Sequence, residues 1–407
     1  MKYISGSYTQ GQLLKEIIEI ELALTERFQR SGVITDAAEQ RSWRERVQDA
    51  SFARNTVMFD DQGNPSVMVT LPAQTLADLG VGTSQKLHPA FTVNNVTKAM
   101  LYISKYQNIT VGSGATLRAL SLKNVDPGNS INFDNALLAC KQKGAGWHLM
   151  TNAEWSSIAL STKKQGFMPR GNNAYGSDTS VSSEKGVGSY FDGGANKIGR
   201  VLTGSGPISW SHDGSPFGIY DLNGNVWEWV GGLRLNNGEI QILADNNAAD
   251  NTKDQSLAST EWKAILQDGT LVAPGTADTL KFDNTTVGDS TTTSHDVGGD
   301  IQINTSIVNP NYIPGGQFDY GHSQNAFEAL TAAVGVTIPD TLKALGLFPL
   351  DANHGGDLLY ARNYGERLPY RGGDWSGGSY AGVFGLSLHY PRSLVSANIG
   401  FRSAFVL

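Results

Sequence analysis

The stretch that decides the fold is residues 371–407, RGGDWSGGSYAGVFGLSLHYPRSLVSANIGFRSAFVL. It opens on a glycine corner, Arg371-Gly372-Gly373. It then places Phe384, Leu386 and Leu388 on one parity and Gly385, Ser387 and His389 on the other, the period of two expected of a strand buried on one face. Ile399 and Phe401 repeat the alternation. Among these apolar teeth stand Asp374, Ser376, Gly377, Ser379, Tyr380, Ser387, His389, Tyr390, Leu394 and Ser396, a set without catalytic spacing. Tyr offers a large contact area with little rotamer entropy to lose, and Ser and Gly adapt around it, so a rigid frame carrying these side chains reads as a recognition surface. An ordinary sheet edge with a solvated face is the competing reading, and composition alone does not separate the two.

Working outward, the chain has 407 residues, room for roughly two or three domains and a substantial core. Hydrophobic residues at 40% and charged residues at 17% mark it as globular, and 47 glycines point to turns and strands rather than helical bundles. A net charge of -7 with scattered Lys and Arg argues against a phosphate-binding surface, so no nucleic-acid partner is expected. The single cysteine, Cys140, allows neither an internal disulfide framework nor a cysteine-based zinc site. The opening MKYISGSYTQGQLLKEI lacks a basic segment followed by an apolar run, and no stretch of about 18 apolar residues occurs. The expectation is a chain made in a cytoplasm without a signal peptide or membrane insertion, and carried outside a cell only as part of a particle.

Residues 12–30 read as a helix whose stripe of Leu13, Ile17, Ile20 and Leu24 suits either an oligomer contact or packing on its own domain. A second helix follows Thr35 and carries Trp43 and Val47 one turn apart. Val57-Met58-Phe59 and Val67-Met68-Val69 flank a run of turn formers and read as a hairpin. Residues 1–88 are therefore expected as a small separate module for attachment or oligomerisation, and 89–407 as the main domain, with an insertion at 233–365. Within the main domain, residues 100–106 alternate as a strand, and 132–143 form a helix with Cys140 as an apolar core residue. Thr151 and Glu154 make a capping box, 169–189 is loop, and Asn223-Gly224 turns into a strand bearing Trp227 and Trp229. The insertion is expected to hold strands at 239–243, 262–266 and 279–282, a polar surface loop at 288–294, and helical pieces at 324–334 and 339–345.

Residues 102–106, the capping-box segment 149–155, Gly224-Asn225-Val226-Trp227-Glu228-Trp229, Arg371-Gly372-Gly373-Asp374-Trp375 and Gly400-Phe401-Arg402 resemble, in this order, the markers of a known branch of the C-type lectin fold. It is the formylglycine-generating-enzyme-like branch, and the resemblance covers residues 90–232 and 366–407. It implies an α+β C-type lectin fold with a long insertion and says little about chemistry, because the branch holds oxidases, sulfoxide synthases and non-enzymatic binders. The oxidase uses a cysteine pair on copper near its final glycine-rich segment, and the synthases use a histidine-rich helix. Here Cys140 lies far upstream, and His88, His148, His212, His295, His322, His354 and His389 never fall at helical ligand spacing. The calcium signatures of sugar-binding C-type lectins are also missing. The resemblance thus implies no catalytic residues and no required cofactor, and it leaves Asn225 and Glu228 either as ligands of a structural calcium or as metal-free stabilisers of a turn.

The final stretch is further similar to the variable region of proteins targeted by diversity-generating retroelements, a family that includes phage tropism determinants. In such regions, change at the adenines of AAC codons reaches many residue types but never Lys, Glu, Gln, Met or Trp. Residues 374–399 contain no Lys, Glu, Gln or Met, and their one Trp, Trp375, belongs to the frame. The resemblance implies diversified ligand-binding positions at Ser376, Gly377, Tyr380, Ser387, His389, Tyr390, Leu394 and Ser396, with Asp374 and Ser379 as further members. Val383, Phe384, Leu386, Leu388, Ile399 and Phe401 form the fixed core. It implies a non-enzymatic protein of a phage or prophage tail that binds a host cell-surface protein or glycan, assembles as a homotrimer and joins other tail proteins through its N-terminal module. An enzyme of the formylglycine-generating kind, and a diversified protein displayed by a bacterium, are the alternative readings.

Overall fold

The computed structural model describes residues 10–288, 298–311 and 321–407; the polar run expected as a surface loop lies, from residue 289 on, outside the described residues. Strands Asn55–Phe59, Pro65–Pro72, Met100–Ser104, Ser403–Phe405 and Trp147–Leu149 lie side by side in that order in one antiparallel sheet. The expected hairpin is present, but its second strand pairs along its length with Met100–Ser104, Thr70 opposite Tyr102. A domain boundary at residue 88 would cut this sheet.

The preceding helices, Gln10–Ser31 and Ala37–Ser51, are bound in the same way. Ile17, Ile20, Leu24, Trp43 and Val47 share one buried cluster with Tyr106, Val201, Trp210 and Tyr220. Glu21, also buried, accepts from Lys105 Nζ at 2.7 Å and from the Tyr106 hydroxyl at 2.6 Å. The N-terminal module of two helices and a hairpin is present, and it packs against the main body and shares its sheet. An apolar stripe leaves water on the nearest complementary surface, which here is the chain's own. For the same reason Ile17, Ile20 and Leu24 do not offer an oligomer contact.

A six-stranded sheet carries the decisive stretch, in the order Ser323–Ala326, Leu358–Ala361, Leu386–Leu388, Tyr370–Arg371, Trp227–Trp229, Ile399–Phe401. Its first two strands come from the expected insertion, most of whose other strands build an eight-stranded sheet. The helix expected at 339–345 is present as Asp340–Ala344, whereas the helical piece expected within 324–334 is confined to the short 3₁₀ helix Phe327–Ala329. Ser323–Ala326 is instead a strand in register with Leu358–Ala361, followed by a 3₁₀ turn at Phe327–Ala329. A waiting sheet edge overrides a weak local helix preference.

Register then sorts the two parities. Leu359, Leu386 and Leu388 face the main core with Val383 and Phe384. On the opposite face, Ser387 stands between Tyr360 and Tyr370, its partners on the two flanking strands. The corner ahead of this sheet needs its glycines: Gly372 and Gly373 have φ of 94° and 85°, and a Cβ on Gly373 would come within 2.3 Å of Ala381 Cβ. The capping box at Thr151 and Glu154 starts helix Asn152–Lys164, and Asn152 Oδ1 accepts from the buried Arg371 guanidinium at 2.6 and 3.1 Å. That contact anchors strand Tyr370–Arg371. Burial lowers Arg371 to about 9.

Candidate ligand-binding site

Above Ser387 a cavity of about 290 Å³ is lined by the rings of Trp227, His322, Tyr360, Tyr370, His389 and Tyr390, with Leu394, Ser396, Asn398 and Ile399 completing its wall. The rings are mutually packed: Trp227 meets Tyr370 edge-on at 5.0 Å between centroids and Tyr360 at 6.2 Å. His389 lies 4.1 Å from Tyr390, 4.3 Å from His322 and 5.5 Å from Tyr360. Such ring contacts add to burial and hold each ring in place. The Ser387 hydroxyl is 2.6 Å from His389 Nδ1 and also bonds the Tyr370 phenol. Burial pushes the Tyr360 phenol up to about 12, with Asp374 and Tyr380 adding to the shift, and pushes Tyr370 well above its ordinary value. Both phenols are neutral at ordinary pH.

Asp374 organises the polar wall. Its carboxylate accepts from Asn398 Nδ2 at 2.6 Å and from the Ser376 amide and hydroxyl at 2.8 and 2.7 Å, while Ser396 donates to Asn398 Oδ1. The residues expected from the sequence thus divide. His389, Tyr390, Leu394 and Ser396 line the cavity. Ser376, Gly377, Ser379 and Tyr380 lie on the adjoining loop; Ser376, Ser379 and Tyr380 are exposed, and Gly377 is half-buried. Asp374 and Ser387 are buried, which corrects their place on the open surface: each shapes neighbours that a ligand can reach. Sequence reasoning missed His322, Tyr360, Tyr370, Trp227 and Asn398 as site residues. Tyr360 carried a faint signal, standing between Leu359 and Ala361 on the other parity; His322 carried none.

Residues 48–255 match the sulfatase-modifying factor enzyme 1-like domain. The chain belongs to this family. The match begins well before the expected residue 90, on helix Ala37–Ser51, in keeping with the hairpin's place in the main sheet. The fold is the α+β C-type lectin fold of the formylglycine-generating-enzyme-like branch. Among solved structures the chain is similar to PvdO from Pseudomonas aeruginosa, at 16% identity and TM-score 0.35 over 86% of this chain and 98% of that one. It is also similar to Treponema denticola variable protein 1, at 13% identity and TM-score 0.31 over 87% and 99% of the two chains. A third is the Major Tropism Determinant P3c variant, at 11% identity and TM-score 0.28 over 86% and 71%. No curated protein matches.

The family includes enzymes, whose chemistry calls for reactive cysteines or metal ligands. Cys140 is fully buried on helix Phe133–Lys141, and burial pushes its thiol far up. Asn225 Oδ1 already accepts from Val201 N at 2.9 Å and Asn172 Nδ2 at 3.1 Å. Both oxygens of Glu228 are held by Arg402, at 2.7 and 2.9 Å. A calcium ion takes about six to eight oxygen ligands, and this pair, already satisfied by donors, does not fit one. Among the described residues no group of three or more His, Cys, Asp or Glu is placed to hold a metal, and no helix is long and apolar enough to cross a membrane.

Proposed function

We propose that the chain is a non-enzymatic ligand-binding protein whose C-terminal surface is diversified by a retroelement, and that it serves as a host-recognition determinant on a phage tail. The observation that carries this reading is a convergence. His389, Tyr390, Leu394 and Ser396, four of the positions that the family resemblance implies are diversified, line one cavity whose remaining rings come from Trp227, His322, Tyr360 and Tyr370. Phe384, Leu386 and Leu388, on the parity opposite Ser387 and His389, lie in the core. Side chains on one face of a strand can therefore change without touching the packing on the other. The partner is a host cell-surface protein or glycan, with no metal in the contact and none needed at Asn225 and Glu228. Assembly as a homotrimer would add avidity and would use a surface other than the buried stripe of Ile17, Ile20 and Leu24. Attachment to other tail proteins falls to the outward faces of the two N-terminal helices.

Deep sequencing of the 3′ end of the gene in a propagated population tests this. Substitutions confined to adenine-derived positions within 374–396, with an invariant near-copy downstream, are the expected result. A uniform sequence with no second copy would remove the diversification argument. Immunodetection on purified virions separates a tail protein from one displayed by a cell.

A further inference from the structure

The cavity's composition selects among ligands. Its wall is built largely of aromatic rings, and among the described residues that line it none is Lys or Arg. Ring faces carry negative potential and attract cations, most strongly at Trp and Tyr. Among the described residues, the Asp374 carboxylate, 2.6 Å from the Asn398 amide, is the charge whose field reaches both Tyr360 and Tyr370. Arg392, the cation next along the strand's exit, is already matched by Glu366 and Asp134, at 2.7 to 2.8 Å. The volume, about 290 Å³, admits one side-chain head group and not a folded loop.

We propose that this cavity binds the guanidinium or ammonium group of a basic side chain presented by a protein receptor. The proposal rests on the reading of this face as a ligand-binding surface and goes beyond it in two respects. It names the chemistry of the anchor, and it divides the labour within the site. Trp227, Tyr360, Tyr370 and His322 lie outside the diversified positions, so every variant of the stretch inherits the same wall of rings, and variants that keep Asp374 inherit the charge behind it. His389, Tyr390, Leu394 and Ser396 then read what surrounds the anchored group. Asp374 acts as a positioning residue, holding Asn398 and setting the sign of the potential.

Saturation-transfer difference NMR on the full chain tests this with Nα-acetyl-L-arginine amide and tetramethylammonium chloride as cationic probes, and methyl α-D-glucopyranoside and sodium acetate as neutral and anionic ones. Both cations should receive saturation and the other two should not. Tyr360→Leu, which keeps an apolar side chain in the strand, should abolish the signal. Asp374→Asn should weaken cation binding about tenfold while the circular-dichroism melt stays that of a folded protein. The proposal is overturned if neither cation binds, if acetate or the glucoside binds as well as the cations, or if cation binding is unchanged in both variants. Glucoside binding that Tyr360→Leu removes would overturn the ligand class and leave the recognition surface standing; only a uniform gene population speaks against the diversified-surface reading itself.

Discussion

The hydroxyl of Ser387 lies 2.6 Å from Nδ1 of His389, just past the end of strand Leu386–Leu388, and is sealed from solvent beneath the rings it supports. A position can therefore belong to the variable stretch and still be a floor rather than a contact. Ser387→Tyr would force a ring between Tyr360 and Tyr370 and should cost about 1–3 kcal/mol. Ser387→Ala, which loses only hydrogen bonds, should cost about 0.5–1.5 kcal/mol. Urea melts of the two variants measure this. In a diversified population, residue 387 should be biased to small side chains while 380, 390 and 394 range freely.

Tyr380 and Tyr390 are the large side chains that the site shows to solvent, 57% and 39% exposed. Exposed aromatic anchors dominate binding energy without supporting the fold. Changing both to Ala should weaken binding to the receptor by more than about 2 kcal/mol, roughly thirtyfold, and shift stability by less than about 0.5 kcal/mol. Surface plasmon resonance against the captured receptor, beside a thermal melt, checks both halves of the statement.

What the sequence disclosed about this site was local. The parity of residues 384–389, the glycine corner and the capping box each follow from neighbours within a few positions, and all are present. What stayed hidden depends on pairing across the chain. That Pro65–Pro72 joins Met100–Ser104 ties the N-terminal module into the main sheet, and that Leu358–Ala361 joins Leu386–Leu388 brings Tyr360 beside Ser387. Alternation tells which side of a sheet a residue faces, not what covers that side.

Glu228 and Arg402 form a bidentate pair that is almost wholly buried. Removing one member of such a pair strands the other charge, so Glu228→Gln should cost about 3–5 kcal/mol. Because donors already occupy the Asn225 and Glu228 oxygens, neither added calcium nor EDTA should move the melting temperature of the parent. A calcium-dependent rise would restore the cation to this motif.

Asp357 sits beneath the turn that leads into Leu386–Leu388, accepting from Phe384 N at 2.8 Å, and burial raises its carboxyl to about 7, with Glu328 adding to the shift. The unfolded chain releases this proton near the ordinary value of about 4. Between those two values the folded state binds the proton and the unfolded state does not, so stability falls as pH rises from about 4 to about 7 and then levels, a loss of order 2–4 kcal/mol. Asp357→Asn keeps an acceptor for Phe384 and removes the titration. Its stability relative to the parent should be greater at pH 8 than at pH 5, measured by urea melts at both.

Glu21 decides whether the first helix is an appendage or part of the body. Its carboxylate is the anion facing Lys105, whose ammonium also donates to Asn55 Oδ1 at 3.0 Å and to the Pro216 carbonyl at 2.7 Å. Burial lowers the Lys105 pKa, and Glu21 is the first influence that raises it again. Glu21→Gln leaves a buried ammonium with only neutral acceptors beside it, at a cost of about 3–5 kcal/mol. The loss should appear in the single main unfolding transition, because the lysine stands at the end of Met100–Ser104 in the sheet that also holds Ser403–Phe405. An autonomous N-terminal module would give the opposite result: a main transition that Glu21→Gln leaves in place, and a chain shortened to begin at residue 52 that melts at the parent's temperature.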